Sequence, residues 1–151
     1  MAKFVFRLEG VLRHREHIEK EKQRALAAIE AQMALLQLEL KQLNDTVAGT
    51  TEDVRQNHLT GQLDMNFLAA HRRFMFAAQR RSMSIVQKMS LIQRQVDEAR
   101  QELAQAAIQR KIMEKLREKH LQRWMDEQGR KEMIEQDEVA MQLSRRLMLH
   151  N

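Results

Sequence analysis

Residues 29–47 read Ile-Glu-Ala-Gln-Met-Ala-Leu-Leu-Gln-Leu-Glu-Leu-Lys-Gln-Leu-Asn-Asp-Thr-Val, with an apolar residue at alternating steps of four and three. A second series of the same kind consists of Ile85, Met89, Ile92, Val96, Ala99, Leu103 and Ala106. An average spacing of about 3.5 residues places such side chains along one side of a helix, where they form a seam. Because a seam is stable only when a second seam covers it, the sequence predicts a coiled coil.

The composition of the 151-residue chain is typical of long helices rather than of a thick globular core. The chain has no proline, four glycines, one tryptophan, five phenylalanines and 31% charged residues. The absence of cysteine excludes disulfides, thiolate metal sites and a cysteine nucleophile. No apolar run reaches the roughly 18 residues that span a membrane, and the N-terminal residues do not resemble a signal peptide, so we expect a cytoplasmic protein.

Signals that break a helix cluster between Asn57 and Asn66. Gly61 suits the left-handed residue that ends a helix, and Asp64 or Asn66 suits the N-cap of the next helix. The fold class is therefore all-α, a single elongated domain in which two long helices form an antiparallel coiled-coil hairpin. The predicted elements are helix one at about 5–58, a turn at about 59–65 and helix two at about 66–148.

Charge supports the antiparallel pairing of the two helices. Residues 27–64 carry six acids and two bases, whereas residues 65–96 carry six bases and no acid. A hairpin folded at Gly61 sets residue i opposite about residue 122 − i, so that these blocks lie side by side. The same register leaves roughly the last 35 residues of helix two as an overhang without an intramolecular partner. Such an overhang frays, self-associates or binds another protein.

Catalytic and metal-binding patterns are weak in this sequence. His14 and His17 lie one helical turn apart, but no Cys and no Glu-x-x-His string completes a metal site, so we expect no metal and no cofactor. The chain has no glycine-rich phosphate loop, and a two-helix coil offers no pocket that would desolvate a catalytic constellation. We therefore expect a protein that is not an enzyme and takes no small-molecule substrate.

Two other classes of protein fit parts of the pattern. The basic run from Arg72 to Arg94 and the net charge of +5 suit nucleic-acid binding. The facing acidic block would neutralise much of that field, so nucleic acid is not the expected partner. A homodimeric rod without an internal hairpin would also cover both seams. We expect a monomeric hairpin, which molar mass and small-angle scattering distinguish from the extended dimer.

Aromatic residues concentrate just after the turn and near both ends of the chain. Phe67, Phe74 and Phe76 cannot all point into one two-helix seam, so at least one of them faces outward. This cluster is either a local cap over the end of the hairpin or a patch that binds a partner. Trp124 is in frame with the second seam, and we expect it to pack against the N-terminal segment.

Three groups of residues, in this order along the chain, carry a family resemblance. They are Phe4-x-Phe6-x-Leu8-x-x-Val11-Leu12-x-x-Arg15-Glu16, then Phe67-Leu68 with Phe74-Met75, then Met113-Glu-Lys-Leu-Arg-Glu-Lys119 with Glu135-Gln-Asp-Glu-x-Ala140. In these residues the chain resembles the flagellar FliJ family, the small coiled-coil protein of the flagellar export apparatus. The family often has tyrosines in the middle of helix one, and this chain has none. Stalk proteins of the injectisome secretion systems have the same build and stay an alternative.

The resemblance implies a non-enzymatic coiled coil, similar to the central stalk of rotary ATPases, that inserts its paired termini into the ring of the export ATPase. It implies roles in ring assembly, in coupling to the membrane export gate and in the traffic of export chaperones, and hence in flagellum biogenesis, protein transport, motility and chemotaxis. It also implies peripheral association with the inner face of the cell membrane at the flagellar base.

The resemblance assigns residues to two partners. Those assigned to the export ATPase are Phe4, Phe6, Leu8, Leu12, Arg13, Arg15, Glu135, Gln136, Asp137 and Glu138. Those assigned to the export gate or another partner are Phe67, Phe74 and Phe76.

Overall fold

The computed structural model describes residues 3–149 and contains two long helices joined by a short turn. Helix α1 is Glu9–Asp53, and it continues into a π-helical turn, Val54–His58. Helix α2 is Met65–Met148. The two helices pack against each other and no strand lies among the described residues, so the all-α hairpin predicted from the sequence is confirmed. Within residues 3–149, neither helix has the unbroken apolar stretch that crossing a bilayer requires.

Residues 3–8 precede α1 and are not helical, whereas the sequence predicted a helix from about residue 5. In an extended segment alternate side chains share one side, so Phe4 and Phe6 both contact α2 while Val5 is 77% exposed. Phe6 is buried, and its ring meets the His120 imidazole edge-on with 5.7 Å between ring centroids. A helix would turn Phe4 and Phe6 about 200° apart and expose one of them, which favours the extended conformation.

Residues Lys20–Ala104 form one compact unit, which contains the turn and the adjoining parts of both helices. Ala78, Ile85 and Val96 of α2 are buried in this unit. The seam residues of α1 within 29–47 are half-buried, because one helix covers only one side of another. The heptad pattern therefore identified the packing face of both helices correctly.

Ion pairs between α1 and α2 define their antiparallel register. In the unit Lys20–Ala104 these pairs are Lys22–Glu102 at 2.7 Å, Glu30–Arg100 at 3.1 Å and Glu39–Arg81 at 2.6 Å. Glu39–Arg81 joins the acidic block of α1 to the basic block of α2, as expected from charge for an antiparallel arrangement, whereas in Lys22–Glu102 the base is in α1. Each side chain of these pairs is 40% exposed or more, so each pair adds well under about 1 kcal/mol and acts mainly on register.

The register differs from the predicted one by about one helical turn. Contacts across the hairpin set residue i opposite about residue 126 − i, as in Thr51 with Met75, rather than opposite 122 − i. The difference arises from the contacts between the helices and not from the position of the turn, because the midpoint between His58 and Met65 lies at Gly61.

The described residues of Met1–Glu19 and Gln105–Asn151 form the second compact unit, the terminal unit. Phe4 packs on Trp124 with 6.0 Å between ring centroids, so the contact expected of this tryptophan is confirmed. An extended segment advances about 3.3 Å per residue against about 1.5 Å in a helix, so Phe4 reaches farther along α2 than a helical residue would. Consequently the fully exposed overhang, residues 129–149, begins later than the predicted start near residue 117.

The turn is formed by the residues that the sequence indicated. Gly61 has φ of 87°, the left-handed conformation that a Cβ disfavours. The Asp64 carboxylate accepts hydrogen bonds from the backbone N–H of Asn66 at 3.0 Å and of Phe67 at 3.2 Å. Asp64 rather than Asn66 is therefore the N-cap of α2, because its side chain satisfies N–H groups that have no partner within the first turn.

Replacing Gly61 and Gly49 by alanine is expected to change stability in opposite directions. Nothing lies within 4 Å of a Cβ added at either position, so only the backbone conformation decides the result. Gly61→Ala should destabilise the hairpin by about 1 kcal/mol because of its positive φ. Gly49→Ala, inside α1, should stabilise it by about 0.5–1 kcal/mol. Urea unfolding followed by circular dichroism measures both, and equal effects of the two substitutions would contradict this account.

Candidate functional site

The terminal unit is held together by ion pairs that cross from α1 to α2. Arg110 is at their centre, because its Nε donates to Glu19 and its Nη1 donates to Glu114 at 2.6 Å. The hydrogen bond to Glu114 and, to a smaller extent, the hydrogen bond to Glu19 raise the pKa of the Arg110 guanidinium above its ordinary value. Arg117 Nε lies 3.3 Å from the Glu9 carboxylate, nearly two helical turns farther along α2. The beginning of α1 is thus tied to α2 at two points, through Glu9 and Glu19.

The N-terminal residues assigned to the ATPase fall into two groups in the structure. Phe6 and Leu12 are buried and Phe4 is half-buried, so these three side chains hold the terminal unit together. The others are at the surface, either exposed or half-buried: Leu8, Arg13 and Arg15. Substituting the buried group would change the fold as well as any contact, whereas Arg13 is open to a partner.

The C-terminal residues assigned to the ATPase lie on the overhang. Glu135, Gln136, Asp137 and Glu138 are all exposed. Trp124, which contacts the N-terminal segment, precedes Glu135 by eleven residues, or about 16 Å of helix. The structure therefore does not bring the N-terminal and C-terminal groups together, and they form two separate surfaces of the terminal unit.

The three phenylalanines of the predicted gate patch do not share one surface. Phe67 is half-buried and stacks on the His58 imidazole, with 3.9 Å between ring centroids. Phe74, one heptad later, lies on the same side of α2 and is 36% exposed. Phe76 is exposed, and it lies about half a turn around the helix from the buried Ile85.

Sequence reasoning missed the contribution of His58 to this end of the hairpin. The π-helical turn Val54–His58 brings the imidazole onto Phe67, and its Nε2 lies 3.6 Å from the Asp53 carboxylate. Such turns interrupt an α-helix most often where function needs a side chain redirected. The helix-breaking signals at 57–66 marked the region, but heptad spacing carries no signal for a π-helical turn.

The surface of the terminal unit carries an open depression rather than a closed pocket. Its volume is about 270 Å³, and its lining residues are Phe4, Val5, His120, Arg123, Trp124 and Glu127. An aromatic floor without enclosing walls suits contact with another protein. His14 and His17 lie on α1, and among the residues that the structure describes no three His, Cys, Asp or Glu side chains are grouped to hold a metal ion.

Replacing Phe4 should change the fluorescence of Trp124, the one tryptophan of the chain. Phe4→Ala removes the ring that covers the indole, so water reaches it and the emission maximum shifts to longer wavelength. Val5→Ala is the matched control, because the neighbouring Val5 side chain is exposed. An unchanged emission maximum in Phe4→Ala would contradict docking of the extended segment on α2.

Comparison with known proteins agrees with this architecture. The family model for the flagellar FliJ protein matches residues 4–148, which include both the extended N-terminal segment and the overhang. No curated protein and no solved structure matches the chain significantly. The matched family is a non-catalytic part of flagellar export that serves flagellum biogenesis, protein transport and motility. The chain therefore belongs to the flagellar FliJ family and is a component of the flagellar protein export apparatus.

Proposed function

We propose that this protein is a non-enzymatic, stalk-like coiled coil that binds the ring of the flagellar export ATPase through its terminal unit. In this role it promotes assembly of the ring and couples the ring to the membrane export gate and to export chaperones. The observation that carries the proposal is the architecture of the terminal unit. The ion-paired beginning of α1 and the facing part of α2, here called the base of the terminal unit, support an overhang without an intramolecular partner.

The overhang has the chemistry of a segment that docks into another protein. Apolar side chains are exposed throughout it, and the large ones are Met133, Ile134, Val139, Met141, Leu143, Leu147, Met148 and Leu149. A single helix with such residues gains stability by burying them in a partner, and methionine adapts to irregular partner surfaces. The acidic group Glu135–Glu138 lies among these residues and adds charge that would orient the helix in a ring.

The base of the terminal unit supports the same proposal mechanically. Arg110 bonds two carboxylates and Arg117 meets Glu9, while Phe4 and Phe6 pack on α2. These contacts limit independent movement of the beginning of α1 and the adjoining part of α2. A stalk needs such a base, because force applied to a loosely tethered helix would bend the helix instead of moving its partner.

For the gate, we propose Phe67 and Phe74 together with the neighbouring His58. Phe67 and Phe74 share one side of α2 at the turn end of the hairpin, and His58 of the π-helical turn stacks on Phe67. Exposed or half-buried aromatic residues of this kind are favoured at protein interfaces. Binding of the gate at this end and of the ATPase at the terminal unit would let one protein contact both at the inner face of the membrane.

The test is ATP turnover and ring formation by the cognate export ATPase with and without the purified chain, at equimolar and lower ratios. Stimulated turnover with hexamers would support the proposal. Absence of both effects, with the chain shown to be helical, would contradict it. Retention of the cytoplasmic region of the gate protein by the wild-type chain but not by Phe67→Ala with Phe74→Ala tests the second contact separately.

A further inference from the structure

Helix α2 carries a second stripe of residues on the side opposite the coiled-coil seam. Apart from the adjacent Arg72 and Arg73, its members follow one another at steps of three, four and seven, and they lie on the half of the helix away from the buried Ala78 and Ile85. This outer stripe consists of Met65, Arg72, Arg73, Phe76, Arg80 and Met83, all of them exposed. Met65 is 69%, Phe76 54% and Met83 59% exposed, so the stripe presents three large apolar side chains in line.

The arginines of the outer stripe do not bind α1. In the described part of the chain Arg72, Arg73 and Arg80 make no ion pair, whereas the adjacent Arg81 bonds to Glu39 at 2.6 Å. The guanidinium of Arg72 lies 5.7 Å from the centre of the Phe76 ring, so cation and ring are presented together. Since residues 65–96 contain no acid, no negative side chain of α2 itself interrupts this surface.

We propose that the outer stripe of α2 binds the surface of an anionic lipid bilayer. Guanidinium groups pair with lipid phosphates, and apolar side chains between them enter the boundary between headgroups and acyl chains. Nucleic acid would use the arginines, but it would leave Met65 and Met83 without a favourable contact. A third helix packed on the stripe would bury Arg72 and Arg80 at core positions, which a coiled coil disfavours.

The distribution of charge across the hairpin gives this contact an orientation. The six acids of residues 27–64 lie on α1 and in the turn, and the six bases of residues 65–96 lie on α2. Packed helix axes are about 8–10 Å apart, comparable with the screening length at physiological salt. With the outer stripe on the bilayer, α1 faces away and its acids are farther from the lipid phosphates.

Vesicle flotation of the full-length chain tests the proposal, with phosphatidylcholine–phosphatidylglycerol vesicles against phosphatidylcholine alone. We expect retention by the anionic vesicles only. Replacing Arg72, Arg73 and Arg80 together by glutamine should weaken partitioning by about 100-fold, since each arginine near an anionic surface contributes about fivefold. The control Lys111→Gln, Lys115→Gln, Lys119→Gln removes the same charge from exposed positions elsewhere on α2. Equal weakening by both triple variants would overturn the proposal in favour of net charge alone.

Depth of insertion distinguishes a bilayer from other anionic partners. Because the chain has no cysteine, Met83→Cys and Gln42→Cys each give one position for an environment-sensitive fluorophore. Gln42 is exposed on the side of α1 opposite its seam. We expect a blue shift with anionic vesicles at position 83 and none at position 42. Shifts at both positions, or at neither, would overturn the assigned face.

Two further results separate the lipid contact from its alternatives. Phe76→Ser with Met83→Ser should lower vesicle partitioning by about tenfold and leave any retention of duplex DNA unchanged, because only the bilayer accepts apolar side chains. DNA retention as strong as vesicle retention, with no effect of this double variant, would overturn the proposal in favour of nucleic acid. Neither assay contains the export ATPase or the gate, so a negative result here leaves the proposed stalk function intact.

Discussion

A chain that ends at Gln128 is expected to lose stimulation of the export ATPase while it keeps its helical fold. The deletion removes residues 129–151, of which the described residues 129–149 are all exposed, and it spares Phe4, Trp124 and the ion pairs of Arg110. Turnover in its presence should therefore return to that of the ATPase alone, whereas the melting temperature should stay close to that of the full chain. Steady-state ATP hydrolysis and thermal circular dichroism measure the two quantities.

Two comparisons make this result specific. A chain ending at Glu118 also loses His120 and Trp124, so it should melt at a lower temperature than the chain ending at Gln128. In the full-length protein, Asp137→Asn with Glu138→Gln should weaken stimulation, and the matched pair Asp45→Asn with Glu98→Gln should not. Full stimulation by the chain ending at Gln128 would show that the overhang is not the ATPase contact.

Replacing Val96 by aspartate is expected to destabilise the hairpin by about 3 kcal/mol or more. Val96 is 3% exposed in the seam of α2, and a carboxylate placed there is desolvated among apolar side chains. The matched control is Val86→Asp, the same substitution at a side chain that is 52% exposed in the same helix, where we expect a change within about 0.5 kcal/mol. Urea unfolding gives both free energies.

The two variants also separate the internal hairpin from an extended dimer. In a monomeric hairpin the midpoint of unfolding does not depend on protein concentration, and Val96→Asp should lower it equally at every concentration. If the seams were instead covered by a second chain, the loss in Val96→Asp would grow on dilution. A similar loss in Val86→Asp and Val96→Asp would contradict the assignment of the seam itself.

The proposed ATPase contact and the proposed gate contact differ in how far they can be altered without changing the fold. At the terminal unit the candidate contact is an unpartnered helix, so it can be deleted without removing any packing. At the turn end Phe67 is part of a stack with His58, so its replacement also removes an intramolecular contact. Experiments on the gate contact therefore need a fold measurement beside each binding measurement.

The sequence by itself determined the elements and their packing faces, because those depend on local geometry. Helical periodicity places the seam residues on one side whatever lies around them, and it identified Ile85 and Val96. A left-handed glycine and an N-cap depend only on residues a few positions away, so Gly61 and Asp64 indicated the turn from the sequence alone. The family followed from motifs spread over nearly the whole chain.

Only the tertiary structure decided the features that depend on contacts between distant residues. The non-helical course of residues 3–8 results from packing against His120 and Trp124, more than a hundred positions away, which outweighs local helix propensity. The register depends on which side chains of α1 and α2 meet, as Thr51 and Met75 do, and heptad spacing within each helix does not determine this pairing. The orientation of α2 about its axis likewise decides which of its arginines pair with α1, as Arg81 does, and which face outward. The outer face is defined only once the seam is covered.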